Sequence, residues 1–186
     1  MFAPFKAARR ALRRFARTED GAVALEFGFV AVPFFMLTFG LAEVSLMGLA
    51  QTNLDYATSE AGREIRTGRA QMGGVTEEEI KEAVCLNFGR FMAVDCEAKL
   101  FVDVRTYEAF TDINVDPPVV DGELQTDGFA YEPGEPSDIV VVRTYYRWHV
   151  LTPMFDRILA NTNGGERLVV STMMFRNEPY ESAPNS

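Results

Sequence analysis

Gly21-Ala22-Val23-Ala24-Leu25-Glu26-Phe27 stands where a basic leader meets a long apolar run. Lys6, Arg9, Arg10, Arg13, Arg14 and Arg17 precede it, and no Lys or Arg follows until Arg63. Between Ala22 and Ala50 the only charged residues are Glu26 and Glu43. A run of this length is enough to cross a bilayer as a helix. A secretory signal has an apolar core of only about 7–15 residues, so the run is too long for one. Gly48-Leu49-Ala50 before Gln51 would suit a signal peptidase, but the length of the core argues against a cut there.

Charge is distributed by position. Residues 1–20 hold six basic and two acidic groups, which leaves 12 basic and 25 acidic of the chain's 18 and 27. Basic segments stay on the cytoplasmic side of a membrane. The sequence therefore divides into a cytoplasmic leader (1–21), a transmembrane helix (22–50) and an exported domain (51–186), with the membrane crossed once. An acidic exported domain repels phosphates, so nucleic acid is not an expected partner.

Within the span, Pro33 lacks a backbone donor and predicts a kink or local unwinding. Gly28 and Gly40 would permit close helix approach, although their spacing is not that of a GxxxG pair. Phe27, Phe29, Phe34, Phe35 and Phe39 read as lipid or helix-packing residues. Glu26 and Glu43 lie 17 residues apart, about 25 Å along a helix. Each carboxylate can then sit near one interface, where its burial costs less than at the bilayer centre.

Beyond the span the helix is expected to continue. Leu46, Leu49, Leu54, Ala57, Ala61 and Ile65 recur at spacings near three and four, with Gly68 as the stop and Gly73-Gly74 as a break. Thr76 and Glu79 form a capping-box pattern that opens a second helix, with Ile80, Val84, Phe88 and Phe91 on its apolar face. Three strands are predicted. Leu100, Val102 and Val104 alternate with Phe101, Asp103 and Arg105. Val140, Val142, Thr144, Tyr146, Trp148 and Val150 line one face of the second. Leu168 to Phe175, the third, is largely apolar on both faces. A short helical piece near Phe155–Leu159 and the turn Asn163-Gly164-Gly165 separate the last two. The expected fold is α+β: a long N-terminal transmembrane helix running into a small domain with a second helix and an antiparallel sheet of about three strands.

Residues 108–138 differ in composition, with nine acidic residues, no basic ones and four prolines. They read as a long, exposed acidic loop. Asp112, Asn114 and Asp116 are spaced like the first ligands of an EF-hand loop, with Glu123 at the twelfth place. Pro117 stands where that loop needs glycine, so the only calcium site these residues would make is of another type. Cys85 and Cys96 fall in the exported part, where disulfides are permitted. A bridge would close a loop of about 12 residues and contribute about 2–3 kcal/mol; the alternative is two free buried thiols.

Asp20-Gly21-Ala22-Val23-Ala24-Leu25-Glu26-Phe27, with Pro33 in the apolar run, resembles the N-terminal segment of the TadE-like family. These are pseudopilins of the tight-adherence (Flp) pilus machinery. Gln51-Thr52-Asn53-Leu54-Asp55-Tyr56-Ala57, Ala61 to Gly68, and Phe175-Arg176-Asn177-Glu178-Pro179-Tyr180 also resemble it. The resemblance implies a pilin-like fold and processing by a prepilin peptidase between Gly21 and Ala22. It also implies a role for Glu26, Phe27 and Pro33 in helix pairing during assembly. After the cut, the new amine of Ala22 would lie about 6 Å along the axis from Glu26 and be cationic near neutral pH. The implied partners are the prepilin peptidase, other pilins and pseudopilins, an inner-membrane assembly platform and the lipid bilayer. The implied address is the bacterial inner membrane, with residues 51–186 in the periplasm.

Catalytic patterns are missing: there is no Ser-His-Asp, Cys-His, HExxH or Walker arrangement. His149 is the only histidine and reads as a structural or surface residue. Tyr145, Tyr146 and Trp148 could line a carbohydrate or partner surface, but Tyr146 and Trp148 fall in phase with the core. No enzyme activity, cofactor or metal is expected. Three functional readings follow: a minor pilin or pseudopilin, an unprocessed single-span pilus assembly scaffold, and a membrane-anchored periplasmic binding or enzymatic domain that uses the acidic loop.

Overall fold

The computed structural model describes residues 20–89, 95–152 and 154–180, the side chains of residues 20–22 excepted. The basic leader up to residue 19 and the expected core residue Phe91 lie outside the described residues. Helix α1 (Asp20–Arg66) is followed by α2 (Arg69–Gly73), α3 (Glu77–Phe88), α4 (Cys96–Lys99) and strand β1 (Leu100–Tyr107). Then come a 3-10 turn (Phe110–Asp112), β2 (Val119–Val120), β3 (Glu123–Leu124), β4 (Ile139–His149), α5 (Asp156–Leu159) and β5 (Glu166–Arg176). The chain divides into two compact units between Ala42 and Glu43.

The first unit contains the apolar part of α1. Val23, Leu25, Phe27, Phe29, Val30, Val32, Phe34, Leu37, Phe39 and Leu41 are all exposed. Such a surface is stable in lipid and costly in water. α1 is the one described helix long and apolar enough to cross a membrane. The helix is unbroken through Pro33, so the expected local unwinding is not seen.

The second unit is built on an antiparallel sheet of order β1-β4-β5. Pairing sets Val102 opposite Thr144, Asp103 opposite Arg143, and Thr144 opposite Ser171. The period of two then sends each strand's residues to alternate faces. One face packs on α1 and α3: Leu54, Ala57, Ala61 and Ile65 meet Ile80, Val84, Phe88, Leu100, Val102, Val140, Val142, Tyr146, Val169 and Phe175. Thr58 donates to the carbonyl of Leu54, so its contact with Thr144, at 2.6 Å, takes the Thr144 hydroxyl as donor. At Gly62 a side chain would collide with the Met173 sulfur, which fixes the close approach of α1 to β5.

Two expected stripe residues are corrected. Leu46 and Leu49 are exposed, and Met47 and Ala50 take their places against the sheet. Positions 43, 47, 50, 54, 57, 61 and 65 hold the three-and-four rhythm of one helix face, whereas 46 and 49 fall outside it. The capping box is present: Glu79 N–H donates to the Thr76 hydroxyl, and Thr76 N–H donates to the Glu79 carboxylate at 2.8 Å.

The acidic segment is not a long structureless loop. Val119, Leu124 and Phe129 pack with Phe101, Tyr145, Leu168 and Val170 on the sheet face away from α1. Residues 130–132 run parallel to β1 and cover its outer edge, with Val104 N–H donating to Ala130 and Glu132 N–H to Val104. Sequence composition did not show this, because three apolar anchors are diluted among nine carboxylates. Beneath the segment, Asp103 accepts from Arg105 at 2.8 Å and from the Ala130 N–H at 3.1 Å, and pairs with Arg143 at 3.7 Å. Arg143 also donates to the Tyr107 hydroxyl and the Asn114 carbonyl. The buried ions thus anchor the loop, since each charge has a partner in a place that excludes water.

Candidate functional site: the apolar helix and its two anchorages

Gly21 and Ala22 lie in the first turns of α1, and their side chains are outside the described residues. Glu26 and Phe27 follow in the same turns and both are exposed. Glu26 makes no hydrogen bond or ion pair among the described residues. Pro33 is exposed further along, beside the aromatic run Phe34, Phe35 and Phe39, whose rings touch edge-on and stacked. Thus the expected processing and pairing residues lie on one helix, and Glu26, Phe27 and Pro33 are uncovered in a single chain.

Where the apolar segment meets the second unit, α1 makes its first anchorage. Glu43 is only 2 % exposed. One carboxylate oxygen accepts from the Trp148 indole N–H (3.4 Å) and the Leu151 N–H (3.1 Å). The other accepts from the N–H and the hydroxyl of Thr152, at 3.1 and 2.9 Å. Sequence reading expected Glu43 to be a carboxylate at the membrane boundary. In the folded chain it also holds the end of β4 to α1. The signal available in the sequence was its place on the 43–47–50–54 stripe. A carboxylate in a core stripe has to find buried donors.

The second anchorage is at the far end of α1. The helix stops at Gly68, whose φ of 77° few other residues adopt without cost. The Tyr180 ring lies directly over this glycine. Glu178 N–H donates to the Arg66 carbonyl at 2.9 Å, and the Arg66 and Glu178 side chains pair at 3.4 Å. The Asn177 amide donates to the carbonyls of Pro133 and Glu135, both at 3.0 Å. Gln71 and Tyr180 donate to the same turn, at Pro133 and Gly134. The two separated segments noted in the sequence, Ala61–Gly68 and Phe175–Tyr180, therefore meet in space.

Cys85 and Cys96 form a disulfide, with Cα atoms 5.8 Å apart, tying α3 to α4. The calcium candidates are used differently. The Asn114 side-chain oxygen accepts the Asp116 N–H at 3.0 Å, and its carbonyl takes Arg143. Among the described residues no group of three or more His, Cys, Asp or Glu is placed to hold a metal ion. His149 is exposed at the end of β4, opposite Glu166. Tyr146 and Trp148 are buried in the core under α1, and Tyr145 is buried on the opposite face. None of the three offers an aromatic surface. Burial pushes the hydroxyls of Tyr145 and Tyr146 above the usual phenol range and that of Tyr131 up to about 12. The Tyr131 hydroxyl has no hydrogen-bond partner among the described residues.

No curated protein and no solved structure gives a significant match to this chain. The family comparison falls on the segment that holds the helix start, the apolar run and the first anchorage. Residues 21–63 match the model of the family described as TadE-like protein.

Proposed function

We propose that this protein is a minor pilin or pseudopilin for assembly of a tight-adherence (Flp) pilus. It is made as a precursor, and a prepilin peptidase cuts it between Gly21 and Ala22. The mature chain stays in the inner membrane through the apolar part of α1, with the sheet unit in the periplasm, and contributes to the filament or to its assembly. It performs no chemistry of its own. One observation carries the reading: Gly21, Ala22 and Glu26 open a single helix that runs from an uncovered apolar segment into the core of a folded unit. That layout lets helices gather in lipid while the folded units pack outside.

A carboxylate in an uncovered apolar surface is costly without a partner. The amine released by the cut supplies one, within a subunit or between staggered subunits. The uncovered phenylalanines and Pro33 then provide the packing surface. The partners are the peptidase, other pilins and pseudopilins, and the membrane assembly platform.

The test is the mature N-terminus, read by mass spectrometry on protein from the membranes of its own host. A chain beginning at Ala22 is expected, and Gly21→Ala should abolish the cut. Glu26→Ala should leave the amount of protein unchanged and impair pilus formation. A chain retaining the leader would favour an unprocessed assembly scaffold. One beginning at Gln51 would overturn the pilin reading.

A further inference from the structure

The connection between β4 and β5 is built with its apolar side outward. Leu151 is 60 % exposed, Met154 54 % and Ile158 75 %. Phe155 and Leu159, next to them in the chain, are half-buried. Arg157 is exposed beside Ile158. Met154 holds a φ of 83°, in the left-handed region that favours glycine. A loop facing only water has no evident reason to present this surface.

Its position along α1 supplies the reason. The four hydrogen bonds to Glu43 fix Leu151 and Thr152 at the level of residue 43. Residue 43 lies inside the apolar run, eight residues before Gln51, or about 12 Å along the helix. The opposite side of α1 at this level is still apolar and exposed, at Val44, Leu46 and Leu49. The 20 residues from Val23 to Ala42 already span about 30 Å, the thickness of the hydrocarbon core. Residues 43–50 then fall in the headgroup zone, and the loop that Glu43 holds falls there with them.

We infer that Leu151, Met154 and Ile158 form a foot that rests in the bilayer surface, with Arg157 placed for lipid phosphates. The occupant of this patch is lipid. Amphipathic pieces of this kind bury their apolar side about 5–10 Å into the boundary between headgroups and chains, and a basic residue adds attraction to anionic lipid. The foot gives the folded unit a second contact with the membrane besides α1. This inference rests on the membrane-spanning reading of α1.

The experiment uses the full chain with its disulfide intact, in nanodiscs of phosphatidylethanolamine and phosphatidylglycerol. Single nitroxide labels are placed at Leu151, Ile158, Leu37 in the span and Glu78 on the first turn of α3, all exposed positions. Accessibility to oxygen, which concentrates in lipid, is compared with accessibility to a water-soluble nickel chelate. The expected oxygen-to-nickel ratio is highest at 37, and at 151 and 158 several-fold above that at 78. If 151 and 158 match 78 while 37 is in lipid, the foot is wrong and the span stands. If 37 itself is open to the chelate, the span reading fails and the inference fails with it. Labels at 151 and 158 shielded from both reagents would mean that protein covers the patch, which also overturns it.

Discussion

At the scale of the residue, Glu43 joins two demands that usually exclude each other. It lies within an apolar run and it is ionisable. The conflict is resolved by four donors from Trp148, Leu151 and Thr152. Hydrogen bonds to a charged group contribute more than neutral ones, and a buried donor left without its acceptor costs about 1–3 kcal/mol. We therefore expect Glu43→Ala to destabilise the sheet unit by about 2–4 kcal/mol, since it strands several donors at once. Trp148 is the only tryptophan, so thermal unfolding in detergent can be followed by its emission. An unchanged midpoint would show that the anchorage contributes nothing to stability.

At the scale of the element, the far end of α1 depends on a glycine and a tyrosine. Gly68 supplies the left-handed turn and also the space for the Tyr180 ring. In Gly68→Ala the new methyl adds a backbone cost of about 1–2 kcal/mol and displaces the ring. The C-terminal segment should then loosen. Amide exchange at Asn177 and Glu178, whose N–H groups donate to Asp138 and Arg66, should speed up while β4 stays protected. Equal exchange in both proteins would sink this account of the tail. The same element shows what sequence pattern alone can miss. Leu46 and Leu49 fit a rough three-and-four count, but only Met47 and Ala50 share the phase of Leu54 and Ile65. A small phase error over two turns moves a side chain from the core to the outside.

At the scale of the whole molecule, the tyrosines under and over the sheet give the fold a pH limit. Burial raises the folded-state pKa of Tyr131, Tyr145 and Tyr146 above the ordinary phenol value, for Tyr131 to about 12. The unfolded chain binds these protons less tightly than the folded one. Their contribution is therefore fully present below about pH 10 and is lost as pH rises through the folded values. Unfolding midpoints should be insensitive to these groups from neutral pH to about 10 and fall between about 10 and 12. Tyr131→Phe should flatten part of that fall. It should cost little at neutral pH, because the hydroxyl it removes has no partner among the described residues. A Tyr131→Phe profile that falls as steeply as that of the parent chain would count against this assignment.

The sequence by itself determined the long first helix, the capped helix after it and the three strands of the main sheet, in that order. A 29-residue apolar run, a capping box and three strand-like segments are local signals, set by backbone period and by the cost of exposing apolar side chains. The TadE-like stretch was legible for the same reason: its glycine, glutamate and apolar run are close together along the chain. Only the tertiary structure decided the second role of Glu43, the cover that residues 119–129 form over the sheet, and the meeting of Gly68 with Tyr180. Each of these joins residues far apart in the chain. Their stabilisation depends on distance in space and on exclusion of water, and neither is written in local spacing.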